Sequence, residues 1–421
     1  MRRIPVDKRP NATRLVQSQG LVYSKNPALG DPSDPYWPDD RYYSFTSKEI
    51  ALLEKAGQDV FAMCCEATKL IVEDPELMTS KLAIPAFALQ QIKKSWDHDL
   101  PCGSIYGRFD VCFGGLDHPD ARLRVPKFYE FNADTPLLLV ESASIQWLWL
   151  EQTGHGNDQL NSITERLIGA WKRNLIQIEQ ELGHRVKVHF AFPRGEQTGE
   201  HAMNTTLLMD TCQQAGWQTK ILFMEQIGLS SFDGRFYDQD GEHIDVIFKL
   251  YPWRYMVQST IGEAYFKDME RIGQRNKAGE YIGGTVWIEP PYKMLWSNKA
   301  LFAILWQLFK DDPRSQWLLP TYFDNEAPTS LTRLARKPSF AGQGVDIVLQ
   351  ADGCVIQDTT TGHYGKEGYV VQELALPPEF KAAGNGSAKN GLHLGNHQNH
   401  QPSGDSSDWG IRTSPESLVI E

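Results

Sequence analysis

The chain has 421 residues, which at about 150 residues per domain is two to three domains or one large two-lobed module. Hydrophobic residues make up 41% and charged residues 23%, the composition of a folded globular protein and not of a disordered chain. Acidic residues number 53 against 42 basic ones, a net charge of −11, which repels phosphate backbones and argues against a dedicated nucleic-acid binder. A local basic pocket for a nucleotide remains compatible with that balance.

No apolar run approaches the ~18 residues that span a bilayer. The basic N-terminal stretch lacks the apolar core of a secretory signal. The 6 cysteines form neither CxxC nor a zinc-ligand spacing. The expectation is a cytoplasmic protein with reduced thiols and no membrane partner.

Residues 1–45 are rich in Pro, Asp and Tyr without helical period, which predicts an irregular lead-in. Thr46 with Glu49 spells a capping box. Ile50, Leu53, Val60, Cys64, Ala67 and Ile71 then recur at helical spacing, which places Cys64 and Cys65 on a buried helix face. Segments 105–113 and 124–132 predict two strands around the turn-rich stretch 114–121. A helix is expected from Leu138 to Gln152, and Ser162 with Glu165 opens another. Strand 186–192, a helix near 201–215 and strand 219–224 form a βαβ-like unit, the mark of a parallel α/β subdomain. Segment 236–253 reads as a hairpin turning at Asp240-Gly241. Residues 297–310 form an amphipathic helix. Strands follow, with a turn at Asp352-Gly353 and a last strand at 368–374. Segment 381–408 is too rich in Gly, Asn and Ser to bury a core and predicts a flexible loop. His393 and His397 lie four apart inside it, but that setting argues against a metal-binding helix.

Side chains alternate along a strand, so Arg108 and Asp110 share one face, as do Glu130 and Asn132. An antiparallel hairpin centred on residue 120 pairs Asp110 with Glu130. Two carboxylates, an amide oxygen and a guanidinium then converge. Such oxygens suit Mg²⁺, which is often held by one or two carboxylates plus substrate phosphates. The guanidinium suits phosphate or carboxylate. Two other readings of the same residues stay open: cross-strand ion pairs on an exposed hairpin, and a carboxylate pair for glycoside hydrolysis. There is no Walker A motif. The candidate phosphate cations are Lys249 in FKLYPW and Lys337 in RKPSFAGQG, since an inward strand lysine is rare unless paired. Gly342 and Gly344 let backbone amides approach a phosphate, with a plain turn as the other reading. Gln372 and Leu374 end a strand and offer an edge for adenine.

The segments YGRFDVCFGG, FYEFNADTP, FKLYPW, EPPYKMLWSNKALFAILW, RKPSFAGQG and GIRTSPESLVI occur here in one order. In that order they resemble the glutathionylspermidine synthase family, in its C-terminal synthetase domain and its stand-alone synthetase-like branch. The resemblance implies an α/β ATP-grasp fold with mixed and antiparallel sheets and a circularly permuted motif order. It implies one synthetase module over 46–421: a helix plus metal-site hairpin at 46–155, an α/β subdomain at 156–255, and an ATP-binding lobe at 256–421. Asp110, Glu130 and Asn132 match the ligands of Mg²⁺, as a pair of ions. Arg108 matches the arginine that binds ATP and stabilises the transferring phosphoryl group. Lys249, Lys337 and Gly344 fall at the ATP phosphates, and Gln372 and Leu374 in the adenine hinge. Thr135 falls at the acid substrate. Arg412 matches a catalytic and substrate-contacting arginine on a loop that closes over the acyl phosphate. The implied activity is ATP-dependent, ADP-forming ligation of a peptide-like carboxylate to a polyamine-like amine. The sequence departs from the family at Gly342, where an arginine is usual, and it stops soon after SLVI. An alternative is therefore a nucleotide-binding homologue that has lost ligation and acts as a binding or regulatory partner.

Overall fold

The computed structural model describes residues 1–22, 36–98, 100, 103–196, 198–342 and 344–380, and the backbone of 398–402, 409–413 and 417–420. At its centre is a parallel sheet in which Val246–Lys249 lies between Lys187–Phe192 and Val286–Ile288, with Gln218–Phe223 outermost. The expected βαβ unit is there: helix Glu200–Gln214 connects the two paired strands. Helix Ile163–Leu182 packs beside it. Trp171 is fully buried, meets the Phe190 ring at 5.3 Å, and donates through Nε1 to Thr211 Oγ1 at 3.1 Å. One side chain thus ties both helices to the sheet, and its loss would cost about 3–5 kcal/mol.

Around this sheet lie an antiparallel five-stranded sheet in the order Thr321–Phe323, Tyr369–Glu373, Arg333–Pro338, Val348–Ala351, Cys354–Asp358, and a four-stranded one containing Arg108–Cys112 and Lys127–Asn132. The turn at Asp352-Gly353 stands, with φ of 53° and 82°, the left-handed region that glycine tolerates. Helix Ser47–Ile71 carries the reciprocal Thr46–Glu49 cap and buries Cys64, with Cys65 half-buried. Among the described residues no helix is long and apolar enough to cross a membrane.

Three expectations need correction. The lead-in is not irregular: Arg2–Pro5 pairs antiparallel with Arg41–Phe45, which also takes Ser417–Ile420 in parallel, and Ala12–Ser18 is helical. These partners are far apart in sequence, so no local pattern announces them. Segment 236–253 does turn at Asp240-Gly241, where Tyr237 faces His243 in an antiparallel bridge and the Ile244 amide donates to the Phe236 carbonyl at 3.0 Å, but the hairpin ends there. Phe236–Tyr237 pairs with Gly228–Leu229, and the wholly apolar run before Lys249 enters the buried parallel sheet instead. Trp253 opens a short helix. The helix expected over 297–310 is present as Ala300–Phe309, and a separate helical turn, Lys293–Trp296, precedes it. Asn298 separates the two, donating to the Leu82 carbonyl at 2.9 Å while its Oδ1 caps the Ala300 amide at 2.9 Å. Finally, the polar segment 381–408 contains a strand: Gln398–Pro402 pairs with both Arg108–Cys112 and Trp409–Thr413. A backbone ladder needs no apolar side chains, so composition could not reveal it. His393 and His397 lie outside the described residues.

Candidate active site

The hairpin register is the expected one: Asp110 sits opposite Glu130 and Arg108 opposite Asn132, with an irregularity just past Asp110. Arg108 grips the Asp110 carboxylate with Nε at 2.9 Å and a terminal nitrogen at 3.3 Å, and reaches the Leu137 carbonyl at 3.3 Å. Asn132 Nδ2 donates to Glu130 Oε1 at 3.0 Å and to Asp110 Oδ2 at 3.4 Å. Four polar side chains therefore share one small face. The opposite face is apolar, with the Phe109 and Phe131 rings stacked at 3.9 Å. That stacking anchors the hairpin in the core.

The five-stranded sheet supplies the cations. Lys337 Nζ donates to Gln372 Oε1 at 2.7 Å, and Gln372 Nε2 donates to the Tyr129 carbonyl at 3.2 Å and to Thr321 Oγ1 at 3.1 Å. The buried amide of Gln372 thus joins the lobe to the hairpin. Tyr129 closes the same seam by donating its hydroxyl to the Ala375 carbonyl at 2.7 Å. Leu374, half-buried, donates its amide to Arg333 and borders this seam. Gly344 has φ 71°, and its carbonyl accepts from Thr359 Oγ1 at 2.7 Å. At Gly342 a Cβ would meet nothing within 4 Å.

Electrostatics separates the two carboxylates. Burial pushes Asp110 up and Glu130 adds to this, with Arg108 pulling back. Burial would also raise Glu130, but Lys299 and Lys337 more than offset it and hold that carboxylate down. Burial lowers Lys337 to about 8, opposed by Glu130. Burial would lower Arg108 too, and Asp110, Glu130 and Glu200 outweigh it.

Lys249 is bound to Asp134. Its ammonium is fully buried, donates to Asp134 Oδ1 at 2.7 Å, and lies 4.5 Å from the Trp253 ring centre. Asp134 Oδ2 accepts the Trp253 amide at 2.6 Å. Thr135, next in the chain, is half-buried. Arg412 belongs to strand Trp409–Thr413, level with Asn399, which is level with Asp110. The register thus puts its backbone in the hairpin's own sheet.

The sequence reading missed Lys299 and Asp134. Lys299 Nζ lies 3.0 Å from Glu130 Oε2 and donates to the Ala341 carbonyl at 2.5 Å. A signal existed, because Lys299 stands at a helix N-terminus, where the macrodipole disfavours a cation. Asp134 had no such signal, since its partners come from elements more than a hundred residues away.

Two carboxylates and an amide, all hard oxygen donors facing one another, fit a divalent cation. As placed, the Asn132 amide nitrogen faces both carboxylates. Ligation through its oxygen would turn the amide over, an ambiguity inherent to this side chain.

Comparison with known proteins adds the following. Residues 3–399 match the family described as glutathionylspermidine synthase preATP-grasp. A Haemophilus influenzae protein named "Putative acid--amine ligase" is 30% identical over 383 residues, covering 88% of this chain and 87% of that one. The bifunctional glutathionylspermidine synthetase/amidase of Escherichia coli is 25% identical over 396 residues, 89% of this chain but 56% of that protein. A solved glutathione synthetase-like effector of Globodera pallida overlaps over 98% of both chains at 9% identity and a TM-score of 0.48.

Proposed function

The chain belongs to the glutathionylspermidine synthase family, and from that premise we propose that it is an ATP- and Mg²⁺-dependent carboxylate–amine ligase with an ATP-grasp fold in permuted motif order. The observation that carries this reading is the meeting of Arg108, Asp110, Glu130 and Asn132 with Lys299 and Lys337 at the seam between hairpin and lobe. Mg²⁺ held by Asp110, Glu130 and Asn132 would neutralise charge on the phosphate oxygens. Arg108 orients and stabilises the transferring phosphoryl group, and Lys299 and Lys337 hold the remaining phosphates. Gly344 gives its backbone to the phosphates, and Gln372 with Leu374 borders the adenine. Thr135 contacts a peptide-like acid, and Arg412 closes over the acyl phosphate. A polyamine-like amine then displaces phosphate to leave an amide, ADP and phosphate. Asp134 already holds the Lys249 ammonium, so the lysine that the family pattern assigns to ATP serves here as a buried structural cation.

Gly342 motivates the second reading, a nucleotide-binding homologue without ligation, since it removes a cation beside Lys337. ADP and phosphate release from Mg²⁺–ATP, with a panel of peptide acids and polyamines and Glu130→Ala as blank, separates the two. Release that needs both an acid and an amine supports the ligase. ATP binding without release supports the second reading.

A further inference from the structure

Four lysines are buried among the described residues: Lys249, Lys293, Lys299 and Lys337. A buried ammonium is expected to have an acid beside it. Asp134 lies 2.7 Å from Lys249, Glu289 3.2 Å from Lys293 and Glu130 3.0 Å from Lys299. Lys337 departs from this pattern. Its ammonium donates to the neutral Oε1 of Gln372 at 2.7 Å, and no carboxylate among the described residues forms an ion pair with it. Glu130 and Asp110 attract it from a distance.

The other neighbours of Gln372 fix which end of its amide faces the lysine. The Tyr129 carbonyl can only accept, and it takes a hydrogen from Nε2 at 3.2 Å. Thr321 Oγ1 donates its own hydrogen to the Leu319 carbonyl at 2.8 Å and accepts from Nε2 at 3.1 Å. Both Nε2 hydrogens are therefore committed, and Oε1 is left for Lys337. The side chain is 2% exposed and is held from two strands at once, Lys127–Asn132 and Thr321–Phe323.

We propose that Gln372 is the positioning residue of Lys337: it fixes the ammonium at the seam and leaves its charge for the phosphates of Mg²⁺–ATP. This rests on the ligase reading. A carboxylate in the same place would neutralise the lysine, as Asp134 does for Lys249. The amide keeps no donor for a base, so Gln372 acts on the nucleotide through Lys337 and not through adenine.

The test is a double-mutant cycle on equilibrium binding of Mg²⁺–ATP to the full chain, with the melting transition of each variant showing that it is folded. Lys337→Met weakens binding by about tenfold or more, the loss of one charge-assisted contact. Gln372→Met also weakens binding in the unaltered chain. In the Lys337→Met background it changes the affinity by less than about twofold, because the group it positions is gone. Gln372→Glu, the second variant should Gln372→Met fail to fold, weakens binding because its carboxylate claims the ammonium. Independent losses that multiply in the double variant overturn the proposal, since Gln372 would then reach the nucleotide by itself. Unaltered affinity in Gln372→Glu overturns it as well. If Lys337→Met has no effect, the phosphate role of that lysine fails first and the proposal with it. Loss in Lys337→Met with multiplying effects sinks the proposal alone.

Discussion

Lys299 Nζ lies 3.0 Å from Glu130 Oε2 and also donates to the Ala341 carbonyl. One ammonium therefore joins the hairpin to the glycine-bearing turn after Lys337. Such a bridge has two consequences under the ligase reading. It neutralises Glu130 before a cation arrives, and it marks where phosphate oxygens would sit between hairpin and turn. Lys299→Gln is expected to weaken Mg²⁺–ATP binding by about tenfold or more, the loss of one charge-assisted contact. Equilibrium binding of Mg²⁺–ATP checks this. An unchanged affinity would reduce Lys299 to a counter-ion for Glu130.

Asp134 holds the buried Lys249 ammonium through one oxygen and the Trp253 amide through the other. Burial lowers the Lys249 pKa, with Asp134 opposing. Removing the carboxylate alone would strand a buried charge. Asp134→Ala should therefore lower unfolding free energy by about 3–5 kcal/mol. The double variant Asp134→Leu with Lys249→Met should recover most of it. Denaturant unfolding measures both. If Lys249→Met instead keeps stability and loses ATP binding, the lysine serves the nucleotide and not the fold.

The hairpin was legible because its information is local. Alternation along two strands and one turn suffices to place Asp110 against Glu130, and the register agrees. The paired cap at Thr46 and Glu49 was legible for the same reason. What escaped was long-range. Lys299 meets Glu130 across more than 160 residues of chain, and Asp134 finds Lys249 across 115. Lys249 is a strand lysine facing inward, a pattern that describes a ligand cation and a buried structural pair equally. The strand Arg2–Pro5 and the strand Gln398–Pro402 were hidden because backbone pairing leaves no mark on composition.

His189, Asp238 and Glu242 bring their ligand atoms within 4.8 Å of one another, a metal-like spacing. Lys220 fills that role instead, bonded to Asp238 and 2.7 Å from Asp240, with Lys187 at 2.6 Å from Glu242. Burial lowers the His189 pKa, with Asp238 opposing. A buried neutral histidine contributes stability above its unfolded pKa of about 6.5 and loses it as pH falls. Burial would raise Asp238, but Lys220, the Glu242 and Asp240 amides and His189 together outweigh it and leave the pKa at about 2. That contribution is complete above about 3.9 and is lost as pH falls further. The melting temperature should thus decline in two steps on acidification. His189→Gln should flatten the first, between about pH 6.5 and 5. An identical slope in both proteins would show that other groups set it.

Gly342 separates this chain from the arginine that the resemblance expects after Lys337. A side chain there meets no atom within 4 Å at its Cβ, and the residue does not need glycine's left-handed backbone. The glycine is therefore not a steric necessity. Gly342→Arg should keep the melting temperature within about 2 °C, as surface substitutions within ±0.5 kcal/mol do. Its added cation lies near Lys299 and Lys337, so it should tighten Mg²⁺–ATP binding and raise any acid- and amine-dependent ADP release. Coupled measurement of ADP release with and without an amine checks this. Tighter ATP binding with no gain in release would say that the missing step lies in substrate capture, on the Thr135 side of the site. A loss of both would show that the open space beside Gly342 is needed by the substrate itself.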